Sequence, residues 1–338
     1  MPYQVTATAL GEWPGTDAVE AEKAIRGELG SPHLPFLAEL PDRGVGSDAV
    51  GRTATLLVDL HADVQPHGWR IVDRPGRDAA RAASALSADL NVLADVVGSE
   101  ERSAEELQVR LLGPLSLMAG LYLHNGERAL ADAGARRDIA QSFAAGVAEF
   151  VARVRVAAPG ARLAVQLAEP DAARVLAGLL PTASGYRTIR SLPAAEARTA
   201  WESVIDALRE AGAEQVLVHL DAWEAPIDGV LEAGADGVAL PAPSLTVPQW
   251  ERLAEAVESG KHLWLGVVPL APPPSMRTAD IAESLLRPWR QLGLPERQLG
   301  AVRVTPAESL ASLTPERATA ALARTVKLAD AVNQLAFG

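Results

Sequence analysis

Short apolar runs rich in β-branched residues alternate with helical segments along the whole chain, and this alternation constrains the fold more than any other feature. The clearest run, Gln-Val-Leu-Val-His-Leu-Asp at residues 215–221, has the pattern of a buried strand. Strands that alternate with helices favour a parallel sheet, because each helix carries the chain back across the sheet. The eight predicted strands lie at residues 4–10, 65–71, 107–112, 163–167, 216–219, 237–240, 262–267 and 302–304.

The length of the chain is compatible with one domain built from eight such units. The chain has 338 residues, somewhat more than the roughly 250 of an ordinary (βα)8 barrel, and no change of composition divides it. We therefore predict an α/β fold, a single (βα)8 TIM barrel over 1–338 with an N-terminal extension and a helical insertion near 115–156. A doubly wound open sheet is the main competitor, but Gly44, Gly46 and Gly51 lack the spacing of its phosphate-binding turn.

The composition excludes several kinds of function. The formal net charge of −12 argues against a nucleic-acid partner, because phosphate binding requires clustered Lys and Arg. The absence of cysteine removes disulfides, thiol nucleophiles and thiolate metal ligands. No apolar stretch reaches the roughly 18 residues of a membrane helix, and the amino terminus lacks the order of a signal peptide. We expect no membrane association and a cytoplasmic location.

The residues that follow the predicted strands carry the candidate chemistry, since the carboxyl ends of the strands in such a barrel share one face. His219 and Asp221 are two apart at the end of a strand and point to the same side. Such a pair could hold a metal or position a substrate amine, and the aspartate could instead cap the following helix. The residues collected at this face are Glu12, Gly113, Glu169, His219, Asp221, Pro241 and Glu308.

Five motifs at these strand ends resemble, in order along the chain, those of a known family. Residues 8–16 read Thr-Ala-Leu-Gly-Glu-Trp-Pro-Gly-Thr, similar to Thr-x-Ile-Gly-Ser-Phe-Pro-x-Thr, and residues 165–170 read Val-Gln-Leu-Ala-Glu-Pro, similar to Ile-Gln-Ile-Asp-Glu-Pro. Residues 113–116, 218–221 and 304–310 resemble Gly-Pro-Val-Thr, Thr-His-x-Cys and Val-Asn-Pro-Asp-Cys-Gly-Leu. The chain thereby resembles, over essentially its whole length, the carboxyl-terminal barrel of cobalamin-independent methionine synthase, in the superfamily shared with uroporphyrinogen decarboxylase.

The resemblance implies methyl transfer with an altered metal site. Family members transfer a methyl group from a methylfolate to homocysteine, whose thiol is activated by zinc bound to one His, two Cys and one Glu. His219 matches the histidine, whereas Asp221 and Glu308 stand at the cysteine positions and Pro241 at the glutamate position. Oxygen donors also suit Mg²⁺ or Mn²⁺ and make a bound thiolate less electron-rich. The resemblance thus assigns catalysis to His219, Asp221 and Glu308. It also assigns them the binding of zinc or another divalent metal, and the alternative is a site without metal.

Other positions of the resemblance concern substrate binding. Glu12 replaces a serine near the amino-acid substrate, where a carboxylate would repel the substrate carboxylate, and Ala168 replaces the aspartate that receives the substrate amine. The tryptophan on which the pterin stacks in the family would fall near Gly120, which has no ring for stacking. Asp48 matches an acidic residue that contacts the substrate amine. The resemblance therefore predicts a substrate site whose chemistry differs from that of the family.

Four further residues are candidates for substrate contact. Trp13 lies in the first strand-end loop. Trp69 and Arg70 could close the pocket or bind an anionic ligand, and the alternative is plain packing with a snorkelling tip. Glu169 could contact a ligand, or it could hold the turn from strand to helix.

Two hypotheses of function follow, with a third of lower rank. The first is a methyltransferase whose acceptor is a small molecule, an amino-acid thiol. Its methyl donor is methylfolate or a methylcorrinoid protein. The second is a non-catalytic paralogue that lost zinc and binds a small ligand, and the missing cysteines favour it. The third, a metal-independent decarboxylase, ranks lowest because the chain lacks the family signature Arg-Gln-Ala-Gly-Arg.

Overall fold

The computed structural model describes residues 4–273 and 276–337, and most of its strands form one parallel sheet. The strands are β1 (Thr6–Ala7), β2 (His61–Gln65), β3 (Gly68–Val72), β4 (Glu106–Leu112), β5 (Arg162–Glu169), β6 (Gln215–Leu220), β7 (Gly237–Pro241), β8 (His262–Val268) and β9 (Val302–Pro306). Seven of them make the parallel sheet in the order β1-β9-β8-β7-β6-β5-β4. From β4 to β9 the predicted strands agree with the observed ones within two residues at each end.

Helices connect the strands throughout the sheet. They are α1 (Ala18–Glu28), α2 (Ala49–Ala54), α3 (Arg77–Gly98), α4 (Pro114–Gly120), α5 (Ala133–Ala157), α6 (Ala172–Ala177), α7 (Ala194–Glu210), α8 (Ile227–Glu232), α9 (Val247–Glu258), α10 (Thr278–Gln291) and α11 (Pro315–Phe337). Asp17 caps the start of α1, since its side chain accepts hydrogen bonds from the backbone amides of Val19 and Glu20. Within the described ranges no helix is both long and apolar enough to cross a membrane.

The order of the sheet excludes the doubly wound alternative. A doubly wound sheet reverses its strand order at a switch point. Here β4 to β9 lie side by side in chain order, and β1 pairs with β9 through Thr6 and Ala7. Parallel strands joined by right-handed crossovers and added always on the same side curl the sheet in one direction. The fold is therefore mixed α/β with one curled parallel sheet.

A small apolar cluster shows how far the sheet curls. It contains Leu34 together with Ala164 of β5, Leu217 of β6, Ala239 of β7 and Trp264 of β8. Strands β5 to β8 lie in the middle of the sheet, whereas Leu34 is bonded through its amide to Ala7 of the edge strand β1. Contact between them requires that the sheet wraps around its own interior.

The segment 34–39 lies between the two edge strands and bonds to both. The amide of Leu34 donates to the carbonyl of Ala7 in β1, and the amide of Leu37 donates to the carbonyl of Gln108 in β4. Gln108 in turn donates its amide to Pro35. Proline has no amide hydrogen, so this segment makes isolated bridges and no continuous ladder.

The predicted second strand at 65–71 is wrong as a strand of the main sheet. It belongs to the antiparallel hairpin of β2 and β3, in which Val64 pairs with Trp69 and Gln65 with Gly68. The two-residue turn between Gln65 and Gly68 returns the chain directly on itself, which fixes antiparallel pairing. The strand-like pattern was correctly recognised, but its pairing partner was not.

Candidate functional site

A cavity of about 520 Å³ opens at the carboxyl ends of the parallel strands. Its polar lining comes from the first loop, from β4, from β6 and from the segments that follow β6 and β9. These segments contribute the polar side chains of Glu12, Arg110, His219, Asp221 and Glu308. Apolar side chains complete the wall, among them Leu10, Val50, Leu112, Leu220, Pro241 and Ala307. The sheet thus brings together residues that are up to about three hundred positions apart, since its strand ends meet at one face.

His219 lies in β6, in register with Ala168 of β5 and Ala239 of β7. Burial lowers the pKa of His219 to about 4, with a smaller contribution from the positive charge of Arg110, although Glu12 and Asp221 act in the opposite direction. The imidazole is therefore neutral at physiological pH. Its buried Nδ1 has no hydrogen-bond partner among the described residues.

Asp221 and Glu308 occupy the rim of the cavity, and both are exposed. Together with His219 they are the predicted metal ligands. Between residues 4 and 273 and between 276 and 337, no group of three or more His, Cys, Asp or Glu side chains is arranged to hold a metal ion. Metal binding by these residues stays a prediction.

Arg110 is the polar residue of the cavity that the sequence reading missed. Its side chain is 9% exposed and forms ion pairs with Glu39 and, at 3.3 Å, with Glu12. Gly11 allows this approach, because a Cβ at that position would collide with the Arg110 side chain. A signal was present in the sequence: an arginine between the apolar residues Val109 and Leu111 of a buried strand requires a buried partner.

The ion pairs continue from the cavity into the interior. Arg52 of α2 lies 3.6 Å from Glu39 and is also paired with Asp89 of α3. Arg43 binds the same Asp89 carboxylate at 2.7 Å. Alternating carboxylates and guanidinium groups therefore link the cavity wall to the helices behind it. Every carboxylate in this series of ion pairs contacts an arginine.

Below Arg110 the interior of the sheet holds a polar layer of neutral side chains. Thr8 donates its hydroxyl to Gln108 Oε1 at 2.7 Å, and Gln108 donates Nε2 to Gln166 Oε1 at 2.6 Å. Both glutamines are fully buried. Gln108 and Arg110 lie on one side of β4 because side chains two apart in a strand share a face. Hydrogen bonds between buried side chains thus connect Thr8, β4 and β5 in the interior of the sheet.

The structure places Asp48 and Trp69 against each other and not in the cavity lining. Asp48 caps α2 by accepting from the amide of Gly51, and it also accepts from the indole nitrogen of Trp69 at 2.9 Å. Trp69 is buried. Arg70 pairs through its backbone with Tyr122. The bond between Trp69 and Asp48 holds the hairpin against α2, whose first two residues Ala49 and Val50 line the cavity.

Glu169 is enclosed behind the cavity. It accepts hydrogen bonds from the amides of Leu115 and Ser116, from the Ser116 hydroxyl and from the indole nitrogen of Trp201. Burial raises the pKa of Glu169, although these donors act in the opposite direction. Gly113 leaves space for the carboxylate, since a Cβ there would collide with it. The carboxylate holds the start of α4 in place.

Two first-loop residues have different environments. Glu12 lines the cavity and is paired with Arg110. Trp13 is 2% exposed and packs in the core against the ring of Phe36, with the ring centroids 6.5 Å apart. Gly120, the position that the resemblance aligned with a tryptophan, packs tightly on Val50 at the cavity wall.

Comparison with solved structures shows the fold. A methyltransferase from Methanosarcina mazei superposes with a TM-score of 0.59 over 98% of this chain and 94% of the other, with 12% sequence identity. The two proteins share a fold. A B12-independent methionine synthase from Shewanella sp. W3-18-1, solved in complex with selenomethionine, matches 79% of this chain and 71% of the other with 14% identity and a TM-score of 0.49. No protein-family model matches the sequence, and no curated protein is significantly similar to it.

Proposed function

We propose that the chain is a methyltransferase of the methionine synthase type, in which a small molecule bound in the strand-end cavity donates or accepts the methyl group. The observation that carries the proposal is the convergence of Glu12, Arg110, His219, Asp221 and Glu308 on one cavity at the carboxyl ends of the strands. That is where active sites of parallel barrels lie. The fold shared with a methyltransferase supports the reaction class by analogy.

We also propose that the fold is a complete (βα)8 barrel. The segment 34–39 takes the place of the second strand of a (βα)8 barrel, between β1 and β4. Support comes from its hydrogen bonds to Ala7 on one side and to Gln108 on the other. The interior position of Leu34 beside β5 to β8 also supports it.

The residues of the cavity supply position and charge. His219 is neutral, so its ring can accept a hydrogen bond from a thiol or an ammonium group without adding a positive charge. Arg110, fixed by Glu39 and Glu12, forms a rigid wall. Asp221 and Glu308 stabilise positive charge at the entrance. A metal on His219, Asp221 and Glu308 remains a separate proposal, and no step depends on it.

The acceptor and donor proposed from the sequence are an amino-acid thiol such as homocysteine and a methylfolate or methylcorrinoid protein. The test uses purified protein, homocysteine, and methyltetrahydrofolate or methylcobalamin carrying a ¹⁴C-methyl group, with and without Zn²⁺ or Mn²⁺. Labelled methionine is expected. A wild-type protein that transfers no label under any of these conditions, yet is stabilised by a small ligand, would contradict the enzyme and leave the non-catalytic paralogue.

The proposed metal has its own readout in the same preparation. Elemental analysis of the purified protein and a thermal titration with Zn²⁺ or Mn²⁺ measure binding directly, because a ligand bound only by the folded state raises the melting temperature. Loss of that rise in His219→Ala would support the metal site. An unchanged melting temperature at every metal concentration would remove it.

A further inference from the structure

The side chains that line the strand-end cavity carry an excess of negative charge. Four carboxylates line it, those of Glu12, Asp171, Asp221 and Glu308. Arg110 is the one lysine or arginine among the lining residues. The cavity therefore differs from a site built for a carboxylate or a phosphate, which needs positive groups with free donors.

The positive charge of Arg110 is already used by the protein. Its guanidinium pairs with Glu39, which lines no part of the cavity, and its second partner Glu12 lies 3.3 Å away. The charges of Arg110 and Glu39 cancel. Asp171 is paired at 3.1 Å with Arg174, which does not line the cavity. The linked ion pairs balance three carboxylates, Glu12, Glu39 and Asp89, with the three arginines Arg110, Arg52 and Arg43. Uncompensated negative charge is left at the rim, on Asp221 and Glu308.

Most of the remaining cavity wall is apolar, and the exceptions are Ser116, His219 and Ser309. Leu10, Val50 and Leu112 lie on one part of it, and Leu220 and Pro241 on another. A protonated primary amine would lose its three hydrogen bonds to water against such a wall. A cation covered by alkyl groups has no donors to satisfy and loses little hydration there. Apolar walls and an acidic rim thus suit a cation whose charge lies beneath an alkyl surface.

We propose that the cavity binds alkylated onium cations, a quaternary ammonium or a sulfonium group, and rejects carboxylates of the same shape. This assignment rests on the proposed function and names the methyl donor in place of methylfolate. The thiol acceptor would lose its proton and take a methyl group from the onium cation, which would leave as a neutral amine or sulfide. It also gives Glu12 a role: the carboxylate keeps Arg110 from binding an anionic ligand. The specificity is set by the ion pairs of Arg110 as much as by the rim.

The test compares three probes of similar size and different charge: tetramethylammonium, tert-butanol and pivalate. Binding to the wild-type protein is measured by titration calorimetry at constant ionic strength. Tetramethylammonium is expected to bind, and neither of the other two at the same concentration. Binding of pivalate as tight as that of tetramethylammonium, or no binding of tetramethylammonium, overturns the inference.

Variants locate the binding. Asp221→Asn combined with Glu308→Gln removes two rim charges and is expected to weaken tetramethylammonium binding at least tenfold. The matched control is Glu251→Gln with Glu258→Gln, two exposed carboxylates of α9 outside the cavity lining. Equal weakening in both pairs would mean attraction by net charge alone and overturns the inference. Glu12→Gln is expected to gain pivalate binding, because it frees part of Arg110.

Failure of the proposed ligand class and failure of the proposed function give different experimental results. Binding of tetramethylammonium in the cavity without any methyl transfer would overturn the proposed function and keep the ligand class. Transfer of label to homocysteine by a protein that binds pivalate and not tetramethylammonium would keep the enzyme and overturn the ligand class.

Discussion

Arg110 and Glu39 form a buried ion pair that joins the wall of the cavity to the interior of the protein. Arg110 comes from the strand β4 and Glu39 from the proline-rich segment between the two edge strands, and both side chains are at most 9% exposed. Neither residue carries a site role in the family resemblance. The pair fixes the segment 34–39 to the sheet and neutralises an arginine that would otherwise face the ligand.

Removal of one member of this pair should destabilise the protein strongly. Arg110→Met leaves the buried Glu39 carboxylate with only Arg52 at 3.6 Å, and an uncompensated buried charge costs about 3 to 5 kcal/mol. The double variant Arg110→Met with Glu39→Gln is expected to recover at least half of that loss. Urea unfolding of the two variants measures both free energies. Equal stability of the single and double variants would show that the pair contributes nothing specific.

Glu22 should make the stability fall as the pH rises. Burial raises the pKa of Glu22 to about 7 from its ordinary value of 4.5, against the opposing hydrogen bond from the amide of Ala38. Below pH 4.5 both the folded and the unfolded chain hold the proton, and between 4.5 and 7 only the folded chain does. Stability is therefore lost across this window, by roughly 3 kcal/mol for a shift of this size.

Urea unfolding at several pH values between 4 and 8 tests this dependence. Glu22→Gln is expected to abolish the fall attributable to this residue. Glu20→Gln, an exposed position of the same helix, should leave it in place. A pH profile of Glu22→Gln that follows the wild type would rule out a buried, protonated Glu22.

Glu169→Gln should unfold the start of α4 and lower global stability. Each carboxylate oxygen accepts two hydrogen bonds, so an amide in its place sets an NH₂ group against two donors. Each donor left without an acceptor costs about 1 to 3 kcal/mol. Thermal and urea unfolding measure the loss, with the exposed Glu210→Gln in α7 as control. A Glu169→Gln protein as stable as the control would contradict this structural role.

Asp48 and Trp69 should be energetically coupled. The indole nitrogen donates to the carboxylate that also caps α2. A double-mutant cycle of Asp48→Asn and Trp69→Phe is expected to give a coupling free energy of about 1 kcal/mol. Additive effects in urea unfolding would mean that the contact does not stabilise the hairpin against α2.

The sequence predicted the regular part of the fold because buried parallel strands are continuous apolar runs. The segments around Val216 and Leu263 are such runs, and their ends were placed within two residues. The segment 34–39 escaped recognition because Pro35 interrupts its hydrogen bonding, so that its extended conformation depends on contacts with Ala7 and Gln108. The hairpin at 61–72 has a strand pattern, and only its short turn reveals that it pairs with itself.

The cavity was predictable in part for the same reason. Glu12, His219, Asp221 and Glu308 follow recognisable strands, and the rule that strand ends share a face brings them together. Arg110 was not recognised as a residue of the cavity wall, because its position there depends on an ion pair with Glu39, which lies 71 residues earlier in a loop. Asp48 and Glu169 are acidic residues at suitable positions of the sequence. Only the structure shows that the Asp48 carboxylate accepts hydrogen bonds from Gly51 and Trp69. The Glu169 carboxylate likewise accepts from Ser116 and Trp201.

The central claim of this account is that methyl transfer takes place in the strand-end cavity around His219. The most direct measurement is the initial rate of ¹⁴C-methyl transfer by His219→Ala, relative to the wild type and to His67→Ala, an exposed histidine in the hairpin turn. We expect a loss of at least about a hundredfold in His219→Ala, the size of a general acid–base or positioning contribution, and a wild-type rate in His67→Ala. Equal rates in the three proteins would contradict it.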